Sequence, residues 1–380
     1  MRNKFIKFNK PYLGREEERM ALFAIKKGDL SADGYFGQKL SRTLSSYLNI
    51  SNVYLTSSCS SALELAVRSL EIGKGDEVII PSFTMPSTAN AVISTGAKVI
   101  FSEIERDSLS LDPLLLERIV TKRTKAIIVV WYGGFVCQIE KITAIARKYK
   151  LAVIEDAACA LGTKVGNRFA GTFGDLGCFS FHSTKNIVCG EGGALVTNRK
   201  DLCSKIEILR NHGTNRAEVL LGKASSYQWI SLGGSYLLSD VLAAIALAQL
   251  LKIKKINKKR REIAHYYLNC FKKINKKVWF PFSQREKGTN WQTFAFCVSK
   301  EYQLLVISEL KKRRIEASFH YLPLHNSPFG KKLMISELFP VTEDISSSII
   351  RLPIYPSLKK EEQRYITKSL IDILSNFSLL

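Results

Sequence analysis

Between residues 52 and 197 short apolar runs recur along the chain, each a continuous block instead of an alternation. VYL (53–55), EVII (77–80), KVIF (98–101), AIIVV (126–130), LAVIE (151–155), CFSF (178–181) and ALVT (194–197) read as strands. Between several of them lie stretches with apolar residues three and four apart, such as SSALELAVRSL (60–70) and ITAIARKYK (142–150), which predict helices. Strands apolar on both faces and separated by helices predict an α/β domain on a mostly parallel sheet covered on both sides. Ligands of such sheets bind beyond the carboxyl ends of the strands, so chemistry is to be sought there.

A helical stretch from 238 to about 273 leads out of this region. The last hundred or so residues predict a smaller α+β unit with a strand at TFAFCV (293–298) and helices at 301–314 and 359–375. The expected division is a large domain over 1–250 and a linking helix with a small C-terminal domain over 251–380. Residues 1–30 are expected to pack against one of the two.

With 380 residues, 46% of them hydrophobic, the chain can fill both cores. No apolar run is long enough to span a membrane, and the first residues lack the apolar core of a leader. Eight scattered cysteines without a CxxC pair argue for reduced thiols, hence a cytoplasmic protein with neither a disulfide framework nor a metal site. The formal charge of +22 invites a nucleic-acid reading. The densest basic run, KIKKINKKRRE (252–262), keeps Ile253 and Ile256 at helical spacing, so it reads instead as a solvated helix face, with no specific nucleic-acid partner.

Three segments fall where strands should end. TSSCSSALELA (56–66) runs from a strand through small hydroxyl residues into a helix, a setting that suits phosphate as well as it suits an ordinary serine cap. VIEDAACALG (153–162) ends a strand on two acids followed by small residues that let a flat group approach. Its carboxylate could hold a protonated ring nitrogen, a metal or a ribose, or simply cap a helix. GCFSFHSTKNIVCGEGGALVTN (177–198) places a lysine before a glycine-rich turn, where a purely structural loop would favour Asn or Asp. A lysine partly desolvated near other cations has a lowered pKa and becomes a nucleophile toward aldehydes. Phosphate site, acid and lysine together are the groups that pyridoxal 5'-phosphate (PLP) requires.

GDEVIIPSFTMPSTANAV, VIEDAACALGTKVGNRFAGTFGDLGCFSFHSTKN and GEGGALVTN resemble the DegT/DnrJ/EryC1/StrS sugar aminotransferases, and the resemblance covers nearly the whole chain. It implies the PLP-dependent transferase fold type I, aspartate-aminotransferase-like. Carried over by position, Lys185 is the Schiff-base lysine and the one catalytic residue, and Asp156 is the partner of the ring nitrogen. Ser180, Cys59 and Ser60 would bind phosphate, and Ala158 would lie against the ring. Three positions depart from the family pattern. Cys159 replaces a Gln or His beside the cofactor's phenolic oxygen, Met85 an aromatic that stacks on the ring, and Ser235 an asparagine that reaches the partner subunit's phosphate.

GTNRAEVLLGKASSYQW, GSYLLSD, FHYLPLH and RLPIYPSL resemble more narrowly the dTDP-4-amino-4,6-dideoxygalactose transaminases. That implies a homodimer with shared active sites, glutamate as amino donor, and amination of dTDP-4-dehydro-6-deoxy-D-glucose for a surface glycan such as O-antigen or enterobacterial common antigen. His320, Tyr321 and His325 of FHYLPLH become substrate candidates, whereas His182 and His212 read as hydrogen-bonded structural residues. The nearest alternative is amination of another dTDP- or UDP-keto-sugar, at C3 or C4, and two more distant readings stand beside it. A related sugar dehydratase would carry histidine in place of Lys185, and a non-catalytic PLP-fold regulator could tolerate Cys159 and Met85.

Overall fold

A computed structural model describes residues 5–271, 278–282, 286–333, 337–377 and 379. Seven strands form the main sheet: β1 (Asn52–Thr56), β2 (Glu77–Pro81), β3 (Lys98–Ser102), β4 (Thr124–Val130), β5 (Ala152–Asp156), β6 (Leu176–Ser180) and β7 (Gly193–Thr197). Their spatial order is β1-β7-β6-β5-β4-β2-β3. Neighbours from β3 to β6 run parallel, and β7 alone runs antiparallel to both β6 and β1. All seven predicted strands are present, and the sheet is mostly parallel as expected.

Alternate side chains of each strand feed two separate cores. Ile79, Ile127, Val129 and Val153 join one face with α2 (Tyr35–Leu48), α5 (Pro113–Ile119) and α6 (Ile139–Lys148). Val78, Ile80, Ile128 and Ile154 join the other with α3 (Cys59–Ser69) and α4 (Pro86–Ile93), numbering α1 (Arg15–Lys27) as the first helix. This explains the unbroken apolar runs, because a strand covered on both faces has no polar side to show. Burial of each such side chain stabilises the fold by roughly 1.5–3 kcal/mol.

The helical stretch from 238 is not one helix but two. α7 (Asp240–Leu251) and α8 (Ile253–Phe271) meet at Lys252, whose φ of −109° and ψ of 12° end the first. Lys252 Nζ is held there by Glu17 at 2.5 Å. α7 is buried almost all round, whereas α8 starts with Ile253 and Ile256 in the first core and ends with Ile263, Tyr267 and Phe271 in that of the small unit. The expected end at about 273 lies outside the described residues. Lys254, Lys255, Lys258 and Arg261 form the solvated basic face, but Arg260 turns inward and donates to Gln292 O at 3.1 Å and Ile354 O at 2.8 Å.

The small unit pairs β8 (Phe294–Cys297) antiparallel with β9 (Ile349–Leu352), backed by α9 (Gln303–Lys312) and α10 (Lys360–Asn376). The N-terminal segment packs against both units, not one. Ile6 N donates to Arg314 O and Ile6 O accepts from Glu316 N, each at 2.9 Å, while α1 lies on α7. Among the described residues no helix is long and apolar enough to cross a membrane.

Candidate active site

The parallel run brings the carboxyl ends of β4, β5 and β6 to one edge, and Asp156 is the last residue of β5. The two acids of VIED separate because successive residues of a strand face opposite ways. Glu155 is wholly buried and accepts from Trp131 Nε1 at 2.9 Å, Gly171 N at 2.7 Å and Gly174 N at 2.6 Å, which makes it a structural brace. Asp156 lines a cavity instead. Its Oδ2 accepts from Thr88 Oγ1 at 2.9 Å and its Oδ1 from Ala158 N at 3.2 Å, and Thr84 Oγ1 lies 2.9 Å behind Thr88. Burial raises the Asp156 pKa, against the opposing pull of Thr88, Ala158 and the Lys185 charge.

Lys185 follows β6 on a turn closed by its own N–H to His182 O at 2.9 Å. Its Nζ lies 3.1 Å from Cys159 Sγ. Desolvation pushes its pKa down, but the Cys159 thiol and the Tyr321 phenol outweigh this and the net direction is up. The expected lowering by nearby cations is thus corrected, since the groups at the lysine head are a thiol and a phenol.

α3 begins at the same edge. Ser58 caps it by accepting from Ser61 N at 3.0 Å, and the N–H groups of Cys59 and Ser60 sit in the first turn, where a helix offers them no internal acceptor. Gly193 of β7 permits this approach. A Cβ there would stand 2.5 Å from Ser58 C and 2.6 Å from Cys59 N.

These elements enclose a cavity of about 420 Å³. Of the sequence candidates it gathers Lys185, Asp156, Ser180, Cys59, Ser60, Ala158, Cys159, Met85, His320 and Tyr321. Ser235 is exposed and lies outside the lining, on the segment bridged to Asn211. His325 must be corrected. It is buried between Ser82 Oγ at 2.6 Å and Glu343 Oε1 at 3.2 Å, with its ring against Phe339, and contributes to packing instead of to the cavity. His182 keeps its expected hydrogen bond, to Thr184 Oγ1 at 2.9 Å, although it also borders the cavity.

Sequence reasoning missed Thr88, Phe8 and Arg351. Arg351 carried a signal, being a lone cation inside the apolar strand IIRL, whereas nothing local marked Phe8. The segment bearing His320 is fixed by Tyr132, whose hydroxyl donates to His320 O at 2.6 Å, and by the edge-on packing of Tyr132 against Tyr321.

The arrangement fits PLP. Among the described residues neither Lys185 nor Asp156 forms an ion pair, so a basic amine and a buried acid face one cavity uncommitted to each other. The helix start beside them suits a phosphate. The alanine and cysteine after Asp156 leave room for a flat ring. Lys185 would bond the aldehyde, Asp156 would hold the ring nitrogen, and α3 with Ser180 would hold the phosphate.

Residues 11–371 match the family model of the DegT/DnrJ/EryC1/StrS aminotransferases. The spore coat polysaccharide biosynthesis protein SpsC of Bacillus subtilis is 33% identical over 383 residues, spanning 98% of this chain and 98% of its own. Among solved structures, PseC of Helicobacter pylori, an aminotransferase involved in the biosynthesis of pseudoaminic acid, superposes with a TM-score of 0.92 at 26% identity. The match covers 98% of this chain and all (100%) of PseC. Spr1654 of Streptococcus pneumoniae in its PLP form gives 0.90 at 25% identity, over 98% of this chain and 99% of its own.

Proposed function

The chain belongs to the DegT/DnrJ/EryC1/StrS aminotransferase family, with the PLP-dependent fold and PLP as cofactor, and from that premise we propose that it moves an amino group from glutamate to C4 of dTDP-4-dehydro-6-deoxy-D-glucose, giving dTDP-4-amino-4,6-dideoxy-D-galactose. The observation that carries this is the meeting of Lys185, Asp156 and the start of α3 in one cavity large enough for a second ring. When bound, PLP supplies the aldehyde that accepts the amino group and the ring that takes up the electron pair. Lys185 Nζ holds and returns the proton at the substrate carbon. Asp156 keeps negative charge at one fixed place in the cavity wall, and Thr88 keeps its Oδ2 aimed. The sugar assignment is supported by polysaccharide work in the SpsC name and by the FHYLPLH segment, which brings His320 and Tyr321 to the cavity rim.

The same reading makes the protein a cytoplasmic homodimer feeding synthesis of a surface glycan. Leu220, Leu221, Trp229 and Leu232 are all exposed on the stretch that ends at Ser235. An apolar face of that kind is what a second copy would cover. Charged substitutions at Leu221 and Trp229 should turn a dimer into a monomer in sedimentation analysis, and an unchanged dimer would refute this placement. For the reaction, glutamate should bleach the visible absorbance of the loaded protein. A panel of dTDP- and UDP-keto-sugars should then restore it, with product configuration read by NMR. Restoration only by non-sugar keto acids would overturn the sugar assignment, and restoration by a 3-keto sugar alone would move the amination to C3.

A further inference from the structure

Cys159 and Lys185 meet head to head at the cavity. Lys185 Nζ donates to Cys159 Sγ at 3.1 Å, and among the described residues the amine has no other hydrogen bond. Both side chains line the cavity and both are partly exposed, so a small solute reaches them. Their backbones are pinned. Cys159 O accepts from Asn290 Nδ2 at 2.9 Å, and the next amide, Ala160 N, donates to Ala157 O at 2.9 Å. Lys185 sits between Thr184, whose O accepts from Gln292 Nε2 at 3.1 Å, and Asn186, whose Nδ2 donates to Asn257 Oδ1 at 2.8 Å. The fold therefore fixes the approach, and the flexible lysine stem can close the remaining gap. Amino transfer uses the amine and gives the sulfur no task.

We propose that Cys159 and Lys185 form a modification site, in which a hydroperoxide oxidises Cys159 and the Lys185 amine captures it in a covalent sulfur–nitrogen bond. In the first step the thiol and ROOH give Cys159–SOH and ROH, the sulfur losing two electrons as the O–O bond breaks. In the second the Lys185 ammonium releases one proton to solvent, and the nitrogen lone pair attacks sulfur as the S–O bond breaks. The hydroxide leaves with a second N–H proton as water. Two molecules of an external thiol reverse the bond, returning thiol and amine and leaving as one disulfide. Rivals for the oxidised sulfur are weaker. The amide of Ala160, which could close a ring on it, is committed to Ala157. Burial pushes the thiols of Cys59 and Cys178 up and keeps them protonated. The inference rests on reading Lys185 as the lysine that bonds the cofactor, and adds the moment at which it is open to oxidation. An amine bonded to the cofactor cannot capture sulfur. Once the donor's amino group has passed to the cofactor the amine is free, so the donor opens the site and PLP closes it.

The test treats the cofactor-loaded protein with millimolar hydrogen peroxide, with and without glutamate, and maps its non-reduced peptides by mass. With glutamate, a peptide pair joined through Cys159 and Lys185 should appear, lighter by about 2 Da than its separate parts, and dithiothreitol should split it. Without glutamate the pair should form more slowly. In Lys185→Arg, which keeps the charge, Cys159 should persist as a sulfenic acid that dimedone traps. The wild-type map decides by itself if Lys185→Arg fails to fold. Absence of the joined pair in wild type overturns the proposal, whether Cys159 is then unchanged, bonded to Cys59 or oxidised further to a sulfinic acid. Equal dimedone trapping in wild type and Lys185→Arg does the same. Equal rates with and without glutamate, in protein whose Lys185 retains the cofactor after borohydride reduction, overturn the gating by the donor. Failure of the parent reading looks different: borohydride would leave Lys185 unlabelled, while peroxide would still join it to Cys159.

Discussion

Thr88→Val tests how the acid at the end of β5 is kept ready. Thr88 is wholly buried, and its hydroxyl donates to Asp156 Oδ2 at 2.9 Å while Thr84 stands 2.9 Å behind it. Since an ionised carboxylate can only accept, the proton order runs from Thr84 to Thr88 to Asp156. Valine keeps the shape and removes the donor. A hydrogen bond to a buried charge contributes about 1.5–3 kcal/mol, so that much support for the ionised form is lost. Burial already raises the Asp156 pKa, and losing Thr88 pushes it further up. The ring nitrogen then meets a weaker partner, and PLP affinity should fall by about tenfold or more, at 1.4 kcal/mol per decade. Quenching of tryptophan fluorescence gives the assay, since Trp131 borders the cavity. The decisive control is a double-mutant cycle with Asp156→Asn, in which the effect of Thr88→Val should vanish. If Thr88→Val costs the same in that background, its role is packing and the reasoning is wrong.

Gly193→Ala should lower phosphate and PLP affinity together and cost about 1–3 kcal/mol of stability in a urea melt, because its methyl group meets the backbone at the start of α3. Normal cofactor binding would show that α3 can retreat freely. His325→Leu should cost about 1–3 kcal/mol, by removing the ring's bonds to Ser82 Oγ, which is left with the N–H of residue 325, and to half-exposed Glu343, and leave PLP affinity unchanged. A selective loss of substrate binding would restore His325 to the site. Partial desolvation at the cavity, with the Arg351 and Lys185 charges, pushes the pKa of His320, whose residue surface is otherwise exposed, from 6.5 down to about 4. Between those values the unfolded chain binds the proton first, so acidification removes stability. His320→Asn should therefore lose less Tm than wild type between pH 7 and about 4.5, and parallel curves would refute this.

How far the fold was legible depended on local signals. All seven strands could be read because a doubly covered strand is apolar without interruption, and Asp156 and Lys185 because strand ends are where such sheets carry chemistry. The break at Lys252 could not be read, since the apolar period runs on through Ile253 and Ile256 and the halt comes from a long-range partner, Glu17. His325 misled for the complementary reason. It shares a motif with His320, but the backbone turns between them, so one ring reaches the cavity and the other goes to Ser82. Arg260, inside a run of solvated lysines, is buried by the carbonyls of Gln292 and Ile354, which lie far away in sequence. Phe8 depends on the last third of the chain, and no window around it contains that information.

The place of Phe8 has a consequence for how the protein is made. Phe8 N is bonded to a carboxylate of Glu316, 308 positions later. A ribosome adding about 5–20 residues per second needs about 15–60 s to cover that interval. The first residues to emerge are among the last to be seated, and during that time they wait while the sheet assembles. An N-terminal tag should therefore slow the final step of assembly, seen as a slow gain of activity after synthesis with the bulk of the fold intact.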